Sequence, residues 1–195
     1  MSSERPSKQA SKQRLVVPVA QRTRFILVGP HYPENVGAAA RAMKAMGLSR
    51  LVLVRPGRLA RPDHPMARKM AVKSLDVLDA APILETLEEA LLGVDFSIAT
   101  SAKIGNRGAY TLRTGAEELV RLASQGLQLA VVFGNEKSGL SDVESLLCDA
   151  TLRIPMAAPQ PSINLAQACQ LVSYELFATA LVSCLRSPLQ NSPAP

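Results

Sequence analysis

Three short segments of this chain hold residue types that could do chemistry. The first is Phe133-Gly134-Asn135-Glu136-Lys137-Ser138-Gly139-Leu140-Ser141, which follows the apolar run Leu129-Ala130-Val131-Val132. A glycine-bounded polar loop at the end of a buried strand is where α/β proteins place ligands. Gly134 and Gly139 have the separation of a phosphate-binding P-loop, and Ser141 stands where that motif has its metal-binding hydroxyl. Leu140 occupies the place of the P-loop lysine. The loop therefore suits a nucleotide-like ligand but lacks the charge that handles a triphosphate, which counts against an ATPase or GTPase. An ordinary strand-to-helix turn is the alternative for any lone glycine-rich loop.

The second segment is Pro33-Glu34-Asn35-Val36-Gly37-Ala38-Ala39-Ala40-Arg41-Ala42-Met43. Gly37 and its alanines make a thin helix that another backbone can approach closely. Arg41 is the one long cation on that small-residue surface, and a guanidinium that keeps its proton holds phosphate or carboxylate by a fork of donors. Asn35, near the helix start, offers both a donor and an acceptor. A surface arginine on a tightly packing helix is the competing reading. The third segment is Ile154-Pro155-Met156-Ala157-Ala158-Pro159-Gln160-Pro161-Ser162-Ile163-Asn164-Leu165. Its prolines stiffen a loop, Ser162 is placed to N-cap the helix that follows, and Asn164 falls in the first turn. Thr100-Ser101 closes a further apolar run, where small hydroxyls can line a cleft or simply form a turn.

Strands and helices must alternate to position these segments. Apolar runs predict strands at 24–29, 51–54, 95–100, 128–133 and 150–154, with a short one at 76–78. Helices are expected at 33–46, 65–73, 83–92, 116–124, 141–147 and 163–184. Residues 55–62 and 101–113 are expected as loops. The alternation predicts an α/β fold, a mostly parallel sheet with helices on both faces. Residues 1–21 are expected as a flexible basic arm, 22–186 as one domain and 187–195 as a disordered tail. The last helix has a wide apolar face, suited to core packing or to a dimer interface. No apolar run is expected to span a bilayer.

Net charge is +6, and it is unevenly spread. Residues 1–20 carry Arg5, Lys8, Lys12 and Arg14 against Glu4, a net of +3. Residues 50–69 carry Arg50, Arg55, Arg58, Arg61, Arg68 and Lys69 against Asp63, a net of +5. Residues 103–113 add Lys103, Arg107 and Arg113 with no acid. Positive charge gathered in a tail and two loops is the footprint of a polyanion binder. With only His31 and His64, a histidine-rich metal site is excluded and no metal is expected. Cys148, Cys169 and Cys184 have no CxxC spacing, which fits free thiols in a reducing compartment. The N-terminus has no apolar stretch of the secretory type, and a cytoplasmic location is expected.

Taken in order, the three segments resemble the three motifs of the SPOUT-class RNA 2′-O-methyltransferases of the TrmH-like superfamily, closest to the TrmJ-type branch that methylates riboses in the tRNA anticodon loop. The resemblance covers roughly residues 23–185. It implies a deep C-terminal trefoil knot, a homodimer, and S-adenosylmethionine held by Thr100, Ser101, Phe133, Gly134, Asn135, Glu136, Ile154, Pro155, Met156, Ser162, Asn164 and Leu165. It implies catalytic roles for Arg41, Asn35, Ser162 and Asn164; the resemblance leaves open whether Arg41 acts as a base or through an RNA phosphate, and a guanidinium that keeps its proton favours the phosphate. With the charge pattern, it points to tRNA contacts at Arg41, Arg58, Arg61, Lys103, Arg107 and Arg113. Lys137 departs from an arginine common in that branch, and many TrmJ-type enzymes carry a C-terminal extension beyond the last helix. Methylation of another RNA such as rRNA, and a non-catalytic RNA-binding protein on the same fold, are the rival readings.

Overall fold

The computed structural model describes residues 17–101, 109–157 and 163–186. Seven strands form one sheet in the order β3-β2-β1-β6-β4-β7-β5, every pairing parallel. They are β1 (Thr23–Val28), β2 (Arg50–Val54), β3 (Ile83–Leu84), β4 (Phe96–Thr100), β5 (Ala109–Thr111), β6 (Leu129–Phe133) and β7 (Ala150–Arg153). Because all run the same way, every strand's carboxyl end opens on one edge of the sheet, and the loops that leave it share that edge.

The central strands are buried on both faces, which is why they read as unbroken apolar runs. Phe25, Leu27, Leu51, Leu53, Leu129, Val131 and Phe133 face the larger core, with helices α1 (Pro18–Arg22), α2 (Pro33–Ala45), α3 (Pro65–Ala71), α4 (Leu75–Asp79), α6 (Leu112–Ser124) and α8 (Leu165–Arg186). Ile26, Val28, Val52, Val54, Ala130 and Val132 face a smaller core closed by Leu87 and Ala90 of α5 (Leu87–Leu91) and by Cys148, which follows α7 (Asp142–Leu146).

Several elements differ from the sequence expectation. Residues 76–78 are not a strand: they lie inside α4, where Val77 and Leu78 are buried. A helix over 83–92 is replaced by β3, then by α5, whose Thr86 makes a reciprocal capping box with Glu89. Part of the 101–113 loop is strand β5, and α6 begins at Leu112 under a Thr111–Thr114 capping box; residues 102–108 lie outside the described residues. The expected flexible arm does not include its last residues, since Pro18 starts α1 and Val17, Val19 and Ala20 are buried. Residues 1–16 and the expected tail 187–195 lie outside the described residues.

The final helix also departs from expectation: over Leu165–Leu185 it is long and apolar enough to cross a membrane by length and composition. Its buried apolar residues Leu165, Cys169, Val172, Leu176 and Ala180 all join the larger core, so it is the central helix of that layer. Three cysteines are free, Cys148 and Cys169 buried and Cys184 exposed.

Gly37 sets the spacing of α2 and α3. A Cβ placed there would lie 1.9 Å from the Ala67 carbonyl oxygen, a backbone atom that cannot swing aside. Gly37→Ala is expected to destabilise the protein by about 1–3 kcal/mol or more, read as a drop in the thermal unfolding midpoint. Burial pushes the Cys148 thiol up from 9.0 to about 11. The fold favours the neutral thiol, so this contribution is complete below the ordinary thiol value and lost as pH rises through about 11. Denaturant titrations from pH 8 upward are expected to show a shallower alkaline loss of stability in Cys148→Ala than in the native chain.

Candidate functional site

Three neighbouring strands, β6, β4 and β7, deliver their loops to one cavity of about 330 Å³ at the carboxyl edge of the sheet. Thr100 and Ser101 line it from the end of β4, Phe133 to Leu140 from β6, and Ile154, Met156, Ile163 and Leu165 from the segment between β7 and α8. Its walls are apolar at Phe133, Leu140, Leu152, Ile154, Met156 and Leu165, acidic at Glu136 and Asp142, and basic at Lys137.

The β6 loop is held by its own residues. Asn135 Oδ1 accepts from the Lys137 and Ser138 amides, both at 2.9 Å, and the Gly139 amide donates to the Asn135 carbonyl at 3.0 Å. Gly139 has φ +70°, and a Cβ on Gly134 would lie 2.1 Å from the Gly139 carbonyl carbon. Both glycines thus serve closure of the loop on itself. Ser141, the residue at the P-loop hydroxyl position, caps α7 instead: its Oγ accepts from the Glu144 amide at 3.2 Å and donates to Glu144 Oε2 at 2.9 Å. Glu144 also pairs with Arg55 at 2.6 Å.

A hydrogen-bonded line joins the three sequence segments. Glu136 Oε1 accepts from Asn35 Nδ2 at 2.6 Å, and Asn35 Oδ1 accepts from Asn164 Nδ2 at 2.9 Å. Glu136 also accepts from the His31 amide at 2.9 Å and the Tyr32 amide at 3.4 Å. Asn164 Oδ1 accepts from the Ala166 amide at 2.9 Å and the Gln167 amide at 3.3 Å. Asn164 is therefore the residue that caps α8, the role expected of Ser162; Ser162 itself lies outside the described residues. Asn35 is buried, Glu136 half-buried, and Asn164 exposed.

The remaining expected site residues divide. Thr100, Ser101, Phe133, Gly134, Asn135, Glu136, Ile154, Met156 and Leu165 all line the cavity, whereas Pro155 and Asn164 do not. Thr100 Oγ1 donates to the Val132 carbonyl at 3.1 Å, tying β4 to β6. Arg41 stands exposed further along α2 and makes no ion pair with another described residue. Arg58 is exposed, and Arg61 lies 3.8 Å from Asp63. Arg113 is not a free cation: its Nε lies 2.6 Å from Oε1 of Glu175 on α8, a largely buried carboxylate. No spacing signals that pair, because its partners lie on different helices. Lys103 and Arg107 lie outside the described residues. The expected binding residues leave out Lys137, Ser138, Gly139, Leu140, Asp142, Ser145, Leu152, Ile163 and Ala168, all of which line the cavity; position next to a named loop residue is the signal that finds most of them.

The chain matches the SpoU rRNA Methylase family over residues 22–174. It is 41% identical over 159 residues to a protein of Escherichia coli described as an uncharacterised tRNA/rRNA methyltransferase, LasT, covering 80% of this chain and 68% of that one. It is likewise 41% identical over 159 residues to the tRNA (cytidine/uridine/adenosine-2′-O-)-methyltransferase TrmJ of Pseudomonas aeruginosa, covering 80% of this chain and 60% of the relative. A probable methyltransferase from Bordetella pertussis superposes with a TM-score of 0.77 at 36% identity, covering 84% of this chain and 98% of that structure. The matched part thus spans about three fifths to two thirds of these two relatives' length.

Glu136→Ala would leave the buried Asn35 amide without its acceptor. The expected loss of stability is about 1–3 kcal/mol, measured by urea unfolding. Asn164→Ala is expected to cost about 0.5–2 kcal/mol as a lost helix cap.

Proposed function

This chain belongs to the SpoU rRNA Methylase family, and from that premise we propose that it transfers a methyl group from S-adenosylmethionine to a ribose 2′-hydroxyl of RNA, most specifically in a tRNA anticodon loop. The observation that carries the reading is the line Glu136–Asn35–Asn164, which brings all three motifs together beside the cavity. The tRNA part rests on the name of the Pseudomonas aeruginosa relative and on the net charge of +5 in residues 50–69.

The cavity fits the donor. Apolar walls at Phe133, Leu140, Leu152, Ile154 and Leu165 suit an adenine ring, and Thr100 and Ser101 offer hydroxyls. Its charged lining is Glu136 and Asp142 against Lys137, an acidic excess of one that suits a sulfonium cation better than a triphosphate. We assign Gly134, Asn135, Met156 and Ser162 to donor binding as well, and Asn164 to holding Asn35 beside it. When bound, S-adenosylmethionine supplies a methyl carbon made electrophilic by its sulfonium sulfur. Such transfer depends on alignment of the accepting oxygen. The residues of this chain provide that alignment: Arg41 holds an RNA phosphate through its guanidinium fork, while Asn35, with both amide atoms bonded, ties α2 to the β6 loop and to the start of α8. Arg58, Arg61, Lys103 and Arg107 hold further phosphates. Arg113 contributes through its exposed guanidinium while pairing with Glu175.

A trefoil knot and a homodimer belong to the same proposal. The strand order β6-β4-β7-β5 interleaves the last four strands out of sequence, as a chain end passed through a loop would leave them. Leu171, Tyr174, Val182 and Leu185 remain exposed along α8, an apolar stripe that a second copy would cover.

Incubation with labelled S-adenosylmethionine and with tRNA or rRNA, followed by mass spectrometry of nucleosides, is expected to give 2′-O-methylated nucleosides from tRNA. Arg41→Ala is expected to reduce transfer by about 10²-fold or more while calorimetric binding of S-adenosylmethionine persists. Full activity in Arg41→Ala would remove that residue from the mechanism.

A further inference from the structure

The proposed chemistry leaves unused the pair His31–Tyr32, between β1 and α2. The chain is poor in aromatic residues, with four Phe, three Tyr and no Trp. Phe25 and Phe133 are spent on the core, packed together with ring centroids 5.1 Å apart. Tyr32 is different: 46% of it is exposed, at the carboxyl edge of the sheet and beside Asn35.

The ring is exposed but not loosely held. His31 and Tyr32 meet edge to face, centroids 4.8 Å apart and planes at 89°. Both backbone amides donate to Glu136, and Pro33 follows at once as the first residue of α2. On the other side lies the basic loop. The Gly57 amide donates to the Pro30 carbonyl at 2.8 Å. A Cβ on Gly57 would sit 3.6 Å from His31 Cα and 3.7 Å from His31 Nδ1, so the segment leading to Arg58 is packed against His31. Exposed rings held in place next to exposed guanidinium groups are what proteins use to bind unpaired nucleotides: the ring stacks on a base and the cations hold the phosphates. A ring already fixed loses little freedom on binding.

Resting on the reading of this site as an RNA ribose methyltransferase, we infer that His31 and Tyr32 form a stacking platform for an unpaired base next to the ribose to be methylated. Every base has a π-face, so the platform selects an unstacked loop over a paired helix without reading sequence.

The test measures methyl transfer from labelled S-adenosylmethionine to unfractionated tRNA at varied RNA concentration, for the native chain, Tyr32→Ala, Tyr32→Phe and His31→Ala. Tyr32→Ala is expected to raise the KM for RNA by roughly 5- to 100-fold, with the KM for S-adenosylmethionine unmoved. Tyr32→Phe, which keeps the ring, is expected to recover the loss, and His31→Ala to show an intermediate rise. An unchanged KM for RNA in Tyr32→Ala overturns the platform. So does a loss in Tyr32→Phe equal to that in Tyr32→Ala, which would assign the effect to the hydroxyl, or a shift from dimer to monomer in Tyr32→Ala, which would place the ring under a second copy of the chain. If the native chain methylates no RNA, the methyltransferase reading falls first and the platform with it. Transfer by the native chain with an unchanged Tyr32→Ala removes the platform alone.

Discussion

The carboxylate of Glu136 is the joint on which the candidate site depends. A carboxylate only accepts hydrogen bonds, and this one takes donors from His31, Tyr32 and Asn35. That choice dictates the rest of the line. Asn35 must turn its Nδ2 toward Glu136, which leaves Oδ1 facing Asn164. Asn164 must then turn its own Nδ2 toward Asn35, which leaves its Oδ1 for the amides at the start of α8. Every amide orientation from the β6 loop to the last helix follows from one charged group. A neutral amide in place of Glu136 could satisfy the same positions only by turning a donor toward donors.

This line is short, so the backbones that carry it must come close, and small residues make that possible. Gly37 lets α2 touch the backbone of α3 at Ala67, and Ala39, Ala40 and Met43 are fully buried with Cys169 and Val172 of α8 in the same core. A bulkier α2 would stand off from both neighbours and pull Asn35 away from Asn164. The thinness of this helix, visible as Gly37-Ala38-Ala39-Ala40, is thus a geometric condition for the polar line as much as a packing preference. The parallel sheet supplies the other condition, because only strands running the same way bring the β1, β4, β6 and β7 loops to one edge.

Much of this was legible in the sequence where one physical signal dominates. The central strands are buried on both faces and therefore appear as continuous apolar runs, and the three motif segments carried residue types that a plain turn does not require. Legibility failed where elements are short. Leu75, Val77 and Leu78 fit a strand or a helical turn equally, and β3 is only two residues long. Val17, Val19 and Ala20 looked like the end of a polar arm because their burial comes from α6 and α8, far away in sequence. The same distance hid the Arg113–Glu175 pair. Polar residues inside α8, such as the buried Ser173 and Glu175, masked how apolar that helix is as a whole. Asn164 was placed in the first turn of α8 rather than at its cap because Ser162 offered an equally good capping residue.

The near-match to a P-loop shows how local chemistry overrules spacing. A phosphate cradle needs free amides at the start of a helix and no competing negative charge. Here the helix after the loop, α7, has five residues, and its first turn contains Asp142 and Glu144. Ser141 and Glu144 bond reciprocally, so donors that a phosphate would need are already engaged, and a phosphate would meet two carboxylates. The glycine separation survives because Gly134 and Gly139 must nearly touch for the loop to close, a demand unrelated to phosphate. Lys137 is the loop's own cation; further positive charge lies on the exposed Arg41 and on the 55–62 loop at Arg58 and Arg61. The protein thus separates two electrostatic environments within one edge of the sheet. The first is the cavity, where two carboxylates outweigh the one cation of Lys137, a balance that suits the proposed cationic donor. The basic one is exposed and suits a polyanion, and Asn35 connects the two, being on the helix that carries Arg41 and bonded to Glu136. On the proposed reading the acceptor oxygen belongs to the polyanion and the methyl group to the cavity, so neither the glycine loop nor the basic patches alone reveal the chemistry.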